Sequence, residues 1–356
     1  MPHDISNLLG RVAGGGNLSF EEMSSAIDAI MRGSWTQDQI GLLLTALAAK
    51  GETVEEVAGA AEAMRRHMTP IRSRHAEVLD TCGTGGGNST MFNVSTTAAI
   101  VAAAAGVPVA KHGNRSITSR SGSADVLAEL GVNIDASIAQ VEACLDELGI
   151  CFCFAPLMHP SMQHVSAVRK KLGIRTIFNI LGPLVNPASA CYQLLGAGRP
   201  ELRPLLAGAI QLLGTKRTFV VSGDDGLGDV TITGTTNVTE VVAAAGSAAA
   251  GSTGGPPVAT VREFTWPPED FGIRRQSIDG LAIDSPRASA AVIRKVLDGE
   301  RGAARDIVIL NAAAGILVAE RAAKPQAAAE LAADAIDNGA AKQLLTRLAA
   351  RSHEPV

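Results

Sequence analysis

The sequence predicts an α/β fold, with a small all-helical N-terminal domain and a large α/β domain built on a central, mostly parallel sheet. The first observation is that residues 1–70 carry helix caps and helical apolar spacing without strand-like runs. The second is that short β-rich runs alternate with helical stretches from Glu77 onward. The third is the length of 356 residues, which fits about two domains.

Three segments near the N-terminus begin with a reciprocal cap, in which Ser or Thr precedes Glu or Gln by three residues. The pairs are Ser19 with Glu22, Thr36 with Gln39 and Thr53 with Glu56. Gly33 and Gly51 stand where the first two helices should end, and Pro70 ends the third. Residues 1–70 are therefore expected to form a bundle of helices.

The second part of the chain contains seven strand-like runs: EVLDTC, VPVA, ICFCFA, QLLGAG, TFVVSG, VTITG and DIVIL. Helical stretches at 95–105, 123–130, 137–148 and 200–213 alternate with them. The stretch 137–148 has the best support, because Ser137 and Gln140 form a further cap ahead of helically spaced apolar residues. The Ala/Gly/Ser-rich residues 243–259 are expected to form a surface loop.

Composition argues against several classes of protein. Lys and Arg total 31 against 35 Asp and Glu, and aromatic residues make up 3 %, so no nucleic-acid partner is expected. No signal peptide and no bilayer-spanning run is recognisable, so we expect a cytoplasmic protein without a membrane partner. The five cysteines are too few and too irregularly spaced for a disulfide framework, and Cys151 and Cys153 are expected in the core of a strand.

A glycine-rich loop, GTGGG from Gly83 to Gly87, follows the first strand-like run and precedes an Ala-rich helix that opens at Asn93. Glycines allow backbone N–H groups to surround an anion, and a helix N-terminus adds unpaired donors. The loop lacks the Lys of a Walker loop and does not match the dinucleotide motif. The pattern favours a phosphate site, and a flexible turn is the alternative.

A second polar loop, residues 111–125, follows the next strand and contains three cations and five hydroxyl groups. Ser121 or Ser123 can cap the helix that follows, and Gly113 and Gly122 are expected where backbone approaches phosphate. Parallel strands of one sheet end at the same edge, where α/β domains bind ligands. Two such loops in succession therefore favour a binding site over a solvated loop.

Four stretches together resemble the anthranilate phosphoribosyltransferase family, over nearly the whole chain. They are GTGGG followed by NSTMFNVST, KHGNRSITSRSGSADVLAELGV, VRKKLGIRTIFNILGPLVNP and DGLGDVTITG. The resemblance implies transfer of the phosphoribosyl group of 5-phosphoribosyl 1-pyrophosphate to the amine of anthranilate in tryptophan biosynthesis, with Mg²⁺ in the cleft and a homodimer formed through the small domains. It also implies domains at 1–70 and 76–356, a hinge near 70–76, and a helical segment from about 160–185 that returns to the small domain.

By the same resemblance, individual residues are expected to bind each ligand. Phosphoribosyl pyrophosphate would be bound by Gly83, Gly86, Gly87, Asn93, Val94, Ser95, Thr96, Lys111, Ser119, Arg120 and Ser123. Anthranilate would be bound by Gly83, His112, Asn114 and Arg169, and Mg²⁺ by Ser95 and Asp229. The guanidinium of Arg169 suits the anthranilate carboxylate. Without the family, Arg169 would be interpreted as part of a solvated helix face.

The chain departs from the family pattern at three places. Gly87 stands where the family has an acid, Met91 stands where it has Thr, and Gly228-Asp229 replaces an Asp-Glu pair. Mg²⁺ takes one or two carboxylates together with phosphates and water, so one remaining carboxylate should hold it more weakly. Asp224 and Asp225, just upstream, are candidates to compensate. We expect an active site with an altered magnesium requirement.

Three other functions compete with this interpretation. A related phosphoribosyltransferase acting on another aromatic amine fits the same motifs, because a change of one group in a pocket shifts specificity only modestly. A nucleoside phosphorylase is disfavoured, because its own loop patterns are absent and HGNR belongs to the other branch. A non-enzymatic nucleic-acid-binding relative should be basic, whereas this chain has a net charge of −4.

Overall fold

The computed structural model describes residues 5–85, 90–116, 120–244 and 259–356. Four helices come first: α1 (Ile5–Ala13), α2 (Phe20–Met31), α3 (Gln37–Lys50) and α4 (Val54–His67). The three predicted reciprocal caps, at Ser19, Thr36 and Thr53, are all formed. The first two predicted helix ends are confirmed, because Gly33 and Gly51 adopt φ values of +72° and +84° that favour glycine.

The strands of the remaining chain are β1 (Leu79–Gly83), β2 (Val109–Gly113), β3 (Ile150–Phe154), β4 (Tyr192–Gly196), β5 (Arg217–Gly223), β6 (Thr236–Ala243) and β7 (Ala259–Trp266). The helices between β1 and β5 are α5 (Val94–Ala104), α6 (Ser123–Glu129), α7 (Ile138–Leu148), α8 (Ala155–Met158), α9 (Gln163–Leu172), α10 (Phe178–Leu181) and α11 (Leu202–Leu213). Those after β7 are α12 (Pro286–Leu297), α13 (Ala303–Val318), α14 (Pro325–Asp337) and α15 (Ala340–Arg351). Short 3₁₀ turns occupy Pro160–Met162, Gly182–Leu184 and Pro268–Phe271.

Within the described ranges, the seven strands form one sheet in the order β3-β2-β1-β4-β5-β6-β7. The strands from β3 to β5 are parallel, and β6 and β7 are added antiparallel. The predicted fold class, a helical N-terminal part with a mostly parallel α/β domain, is confirmed. The chain first builds outward from β1 to β3 and then returns to the other side of β1, so the strand order reverses between β1 and β4.

Two hydrophobic cores lie on opposite faces of this sheet. One contains the N-terminal helices together with α9 and α11, and it reaches the sheet through side chains such as Leu195 and Val220. The other packs α5, α13 and the C-terminal helices against residues such as Leu194 and Phe219. Helix α9 packs on α3 and α2, where the returning segment was expected. The domain boundary and the hinge near 70–76 stay predictions.

Two of the seven strand predictions are wrong. DIVIL lies in the 16-residue helix α13, which is buried along nearly its whole length, so its apolar run shows no helical periodicity. VTITG forms a turn, because the amide of Asn311 holds Val230 and the hydroxyls of Thr231 and Thr233 bind the Asp225 carboxylate. The strand that follows starts only at Thr236.

Cys151 and Cys153 are buried in β3, as predicted, with their sulfurs 3.8 Å apart. Of the predicted loop at 243–259, residues 245–258 lie outside the described residues, and β6 and β7 pair at its two ends through Ala243 and Ala259. Across the ranges described, no helix has both the length and the apolar character needed to cross a membrane.

Candidate active site

The candidate site lies at the carboxyl edge of the parallel strands. β1, β2, β4 and β5 all end in glycine, at Gly83, Gly113, Gly196 and Gly223. β1 and β4 flank the point where the strand order reverses, which is where open α/β sheets leave a crevice for ligands. The predicted glycine loop follows β1 and the second polar loop follows β2, so both reach this edge. Gly86, Gly87 and Ser119 lie outside the described residues.

The glycines at this edge allow the chain to pack against itself. A Cβ on Gly196 would lie 1.7 Å from the carbonyl oxygen of Gly228, and one on Gly83 would lie 2.8 Å from that of Gly196. In the second loop, a Cβ on Gly113 would lie 2.1 Å from Ser123 Oγ, and one on Gly122 would lie 2.3 Å from Ser116 N. At Gly83, Gly113 and Gly122, protein packing is thus a second reason for glycine, and the expectation that their backbone approaches phosphate stays a prediction.

The second loop is fixed by a carboxylate. Asp125 accepts hydrogen bonds from the backbone N–H groups of Ser116 and Gly122, each at 2.9 Å, and forms a salt bridge with Arg115. The predicted cap by Ser121 or Ser123 is wrong, because Gly122 is the N-cap of α6 and Asp125 binds its N–H. Ser123 Oγ instead donates to the carbonyl oxygen of Asn114, at 3.3 Å. Arg120 is exposed beside this loop.

The predicted phosphate-binding run lies at the N-terminus of α5, where Asn93 is the N-cap and Val94, Ser95 and Thr96 form the first turn. The Asn93 side chain makes no bond to the first turn of its own helix. Ser95 is partly exposed, whereas Thr96 is fully buried and its hydroxyl has no hydrogen-bond partner. This helix end therefore contains a hydroxyl group, that of Thr96, which the described residues do not satisfy.

Lys111 brings positive charge to the same place. Its ammonium donates to the carbonyl oxygen of Thr81 at 2.5 Å and lies 3.5 Å from Ser95 Oγ. Burial lowers its pKa, and the negative charges of Asp80 and Asp229 oppose that shift. Burial also raises the pKa of Asp229 to about 6, against the effect of Lys111. Ser95, Lys111 and Asp229 are thus brought together by β2, α5 and the segment after β5.

Asp80 is a buried carboxylate of the candidate site that sequence reasoning missed. It is fully buried in β1, accepts from His112 N and Cys82 Sγ at 3.1 Å each, and is the main counter-charge of Lys111. Burial raises the pKa of Asp80. The available signal was a carboxylate inside an otherwise apolar strand, since such groups are rarely buried without a partner.

The residues present fit a magnesium ion that also uses substrate oxygens. Asp229 offers a carboxylate and Ser95 a hydroxyl, both hard oxygen ligands of the kind that Mg²⁺ takes. In the described ranges, no group of three His, Cys, Asp or Glu residues could hold a metal alone. The upstream acids are engaged elsewhere: Asp225 binds Thr231, Thr233 and Leu227 N, and Asp224 accepts from Asn237.

A pair of histidines lies beside the second loop. His112 Nδ1 is 3.1 Å from the carbonyl oxygen of Gly182, and its Nε2 is 3.2 Å from Nε2 of His159. Burial lowers the pKa of His112 to about 3, helped by His159, and burial lowers that of His159 to about 4. Both rings are therefore neutral near pH 7. Sequence reasoning missed His159, which follows β3 and the short helix α8.

Arg169 lies on α9, half-buried, with its guanidinium 5.8 Å from the centroid of the Phe178 ring. Burial lowers its pKa, so the guanidinium is only partly solvated. Phe178 opens α10, which leads to Gly182, whose carbonyl oxygen meets His112. Arg169 is thus connected to the site through α10, whereas Asn114 lies exposed directly after β2.

Comparison with known proteins identifies the family. Residues 6–68 match the helical bundle domain and residues 75–342 the a/b domain of a glycosyl transferase family. The anthranilate phosphoribosyltransferase of Rhodopirellula baltica is 44 % identical over 97 % of this chain and 96 % of its own. The anthranilate phosphoribosyltransferase of Pelotomaculum thermopropionicum is 46 % identical over 97 % of this chain and 95 % of its own. The chain belongs to the anthranilate phosphoribosyltransferase family.

Solved structures agree with this assignment. The anthranilate phosphoribosyltransferase of Thermus thermophilus superimposes with a TM-score of 0.87 at 37 % identity, covering 97 % of this chain and 99 % of its own. The enzyme of Saccharomyces cerevisiae, solved in complex with PRPP (phosphoribosyl pyrophosphate) and Mg, superimposes with a TM-score of 0.84 at 27 % identity, covering 99 % of this chain and 98 % of its own. The fold of the anthranilate phosphoribosyltransferase family therefore extends over nearly the full chain.

Proposed function

We propose that this enzyme transfers the phosphoribosyl group of 5-phosphoribosyl 1-pyrophosphate to the amine of anthranilate, in L-tryptophan biosynthesis. The products are N-(5'-phosphoribosyl)anthranilate and pyrophosphate. The observation that carries the proposal is the full-length similarity, at 44 % and 46 % identity, to two enzymes of this name. The crevice between β1 and β4, with a cation and an open helix end, supplies the matching chemistry.

On the phosphate side, the proposal assigns the pyrophosphate to the N-terminus of α5 and the loops after β1 and β2. The reaction develops negative charge on the leaving pyrophosphate, so positioned donors and cations should contribute most of the rate. Ser95 and Thr96 would donate from the first turn, and Lys111 would supply charge. The remaining proposed contacts are Gly83, Gly86, Gly87, Asn93, Val94, Ser119, Arg120 and Ser123.

Magnesium is proposed to join the site together with the substrate, held by Asp229 and Ser95. When bound, the ion would neutralise charge on the pyrophosphate. Support comes from the oxygen ligands present and from the yeast relative, which was solved with PRPP and Mg. Because Gly228 offers no second carboxylate, we expect magnesium to bind weakly before the substrate does.

On the acceptor side, Arg169 is the proposed partner of the anthranilate carboxylate. His112 is neutral near pH 7 and both of its ring nitrogens are engaged by Gly182 and His159, so it would contact anthranilate without charge and leave the charge interaction to Arg169. Gly83 and Asn114 complete the proposed acceptor contacts. Holding the amine opposite the leaving group removes much of the entropic cost of the step.

One assay tests the function. Purified protein is mixed with anthranilate, phosphoribosyl pyrophosphate and magnesium, and the loss of anthranilate fluorescence is followed together with pyrophosphate release. We expect one pyrophosphate to be released for each anthranilate consumed. Pyrophosphate release with another aromatic amine but not with anthranilate would favour the related transferase. Phosphorolysis of a nucleoside, or tight binding of nucleic acid without turnover, would favour the other two alternatives.

A homodimer formed through the small domains is part of the same proposal. Leu42 on α3 and Ile174 after α9 leave 62 % and 48 % of their surface exposed, on elements that pack together. Sedimentation at several concentrations tests the dimer, and a monomer at all of them would refute it. The domain division at 70–76 and the cytoplasmic location also stay proposals, to be tested by limited proteolysis and cell fractionation.

A further inference from the structure

Asn93, the residue that precedes α5, behaves unusually for its type. Asn93 is the N-cap, a position where the Asn side chain normally accepts a hydrogen bond from the second or third N–H of the helix. Here no such bond forms. The first turn of α5 therefore lacks the cap that the sequence provides for it, and something must hold the Asn93 side chain away.

Two serines from distant parts of the chain hold it. Ser289 Oγ donates to Asn93 Oδ1 at 2.8 Å and accepts from Asn93 N at 3.1 Å. Ser121 Oγ also donates to Asn93 Oδ1 at 2.8 Å, and Asn93 Nδ2 donates to the Ser121 carbonyl oxygen at 3.1 Å. Both acceptor sites of the Asn93 amide oxygen are therefore occupied, and none is left for the helix.

A separate observation indicates that this helix end is prepared for a ligand. Thr96, in the same first turn, is fully buried, yet its hydroxyl has no hydrogen-bond partner. Leaving a buried hydroxyl unpaired is costly, so such groups are usually satisfied by something in the functional state. The uncapped turn and the unpaired hydroxyl occur together at the proposed pyrophosphate site.

We propose that Ser289 is a positioning residue, which holds the Asn93 side chain off its own helix and so keeps the N-terminus of α5 open to the pyrophosphate group. This inference rests on the proposed function. Ser289 lies in the first turn of α12, fully buried, and its hydroxyl is hydrogen-bonded to Asn93. Without the Ser289 hydroxyl, the Asn93 amide oxygen regains one acceptor site, with which it can cap α5 and compete with the substrate for the same donors.

The test is Ser289→Ala, with Ser285→Ala as the matched control. Ser285 is the N-cap of the same helix α12 and accepts from Ala288 N at 3.2 Å, so its loss weakens α12 without touching Asn93. We expect Ser289→Ala to raise the KM for phosphoribosyl pyrophosphate about fivefold, the equilibrium value of a typical N-cap bond, and to leave the KM for anthranilate unchanged. We expect Ser285→Ala to lower Tm and leave both KM values unchanged.

A double variant separates positioning from general damage. In the Asn93→Ala background no self-cap can form, so adding Ser289→Ala should produce no further rise in KM. The inference is overturned if Ser289→Ala leaves that KM unchanged, if Ser285→Ala raises it equally, or if the effect of Ser289→Ala persists without Asn93. The Kd for pyrophosphate is measured on the same variants by calorimetry, so the inference is tested even if the wild type does not use anthranilate. Wild-type inactivity toward anthranilate would instead refute the proposed function.

Discussion

Replacing Gly196 by alanine should destabilise the protein strongly. The added Cβ would lie 1.7 Å from the carbonyl oxygen of Gly228, where an ordinary contact is about 3.4 Å or more. β4 is hydrogen-bonded on both sides, to β1 and β5, so it cannot move away from that oxygen. Overpacking of a rigid site costs about 1–3 kcal/mol and more when backbone is displaced, so we expect a loss of about 3 kcal/mol or more.

A graded series of glycine variants measures this effect by urea denaturation and thermal melting. In Gly10→Ala, within α1, the added Cβ meets nothing within 4 Å, and alanine is favoured over glycine in a helix. We therefore expect the free energy of unfolding to rise by about 0.5–1 kcal/mol. In Gly228→Ala it would lie 3.0 Å from Gly198 N, so we expect an intermediate loss. For a chain of this size, a loss of 3 kcal/mol lowers Tm by roughly 4 °C. If the free energy of unfolding of Gly196→Ala lies within 1 kcal/mol of the wild-type value, the packing argument for these glycines is refuted.

Three further predictions concern charge. Tm should fall between about pH 6.5 and pH 4, because His112 and His159 stay neutral in the folded protein, with pKa values of about 3 and 4, but are protonated when unfolded. The pKa of Asp229 is raised to about 6, so its protonation stabilises the folded protein as the pH falls, but its pKa shift is smaller than the combined shift of the two histidines. A Tm that stays constant over this pH range would contradict the prediction. Asp229→Asn should raise the magnesium concentration for half-maximal rate tenfold or more, and an identical magnesium titration would exclude Asp229 as a ligand. Arg169→Gln should raise the KM for anthranilate about tenfold or more without changing the KM for phosphoribosyl pyrophosphate. Lys170→Gln, at an exposed neighbour, is the control. If the two variants raise the KM for anthranilate equally, Arg169 does not bind the acceptor.

The geometry also changes how the missing acid should be studied. Restoring a carboxylate with Gly228→Asp is the direct test suggested by the sequence, and an unchanged magnesium dependence would argue against the altered requirement. However, any side chain at Gly228 meets the backbone of Gly198 at 3.0 Å, so the strand-end packing changes together with the charge. Asp229→Asn keeps the shape of the side chain and is therefore the cleaner experiment.

Local sequence patterns predicted the local structure well. The reciprocal caps depend only on residues three positions apart, and all those predicted in the helical part and at Ser137 are formed. The two wrong strands had non-local causes. DIVIL is apolar because α13 is buried on nearly every side, and VTITG is held as a turn by Asn311, which is 81 residues from Val230.

The sequence by itself determined the helical N-terminal part, the two polar loops after β1 and β2, and the family. Each depends on residues close together in the chain, where spacing alone fixes capping, periodicity and motif. Only the tertiary structure decided why Gly83 and Gly122 must be glycine, that Asp80 lies against Lys111, and that Asn93 is held by Ser289. These contacts join segments separated by up to 196 residues, and they arise because the strand order brings distant loops to one edge of the sheet.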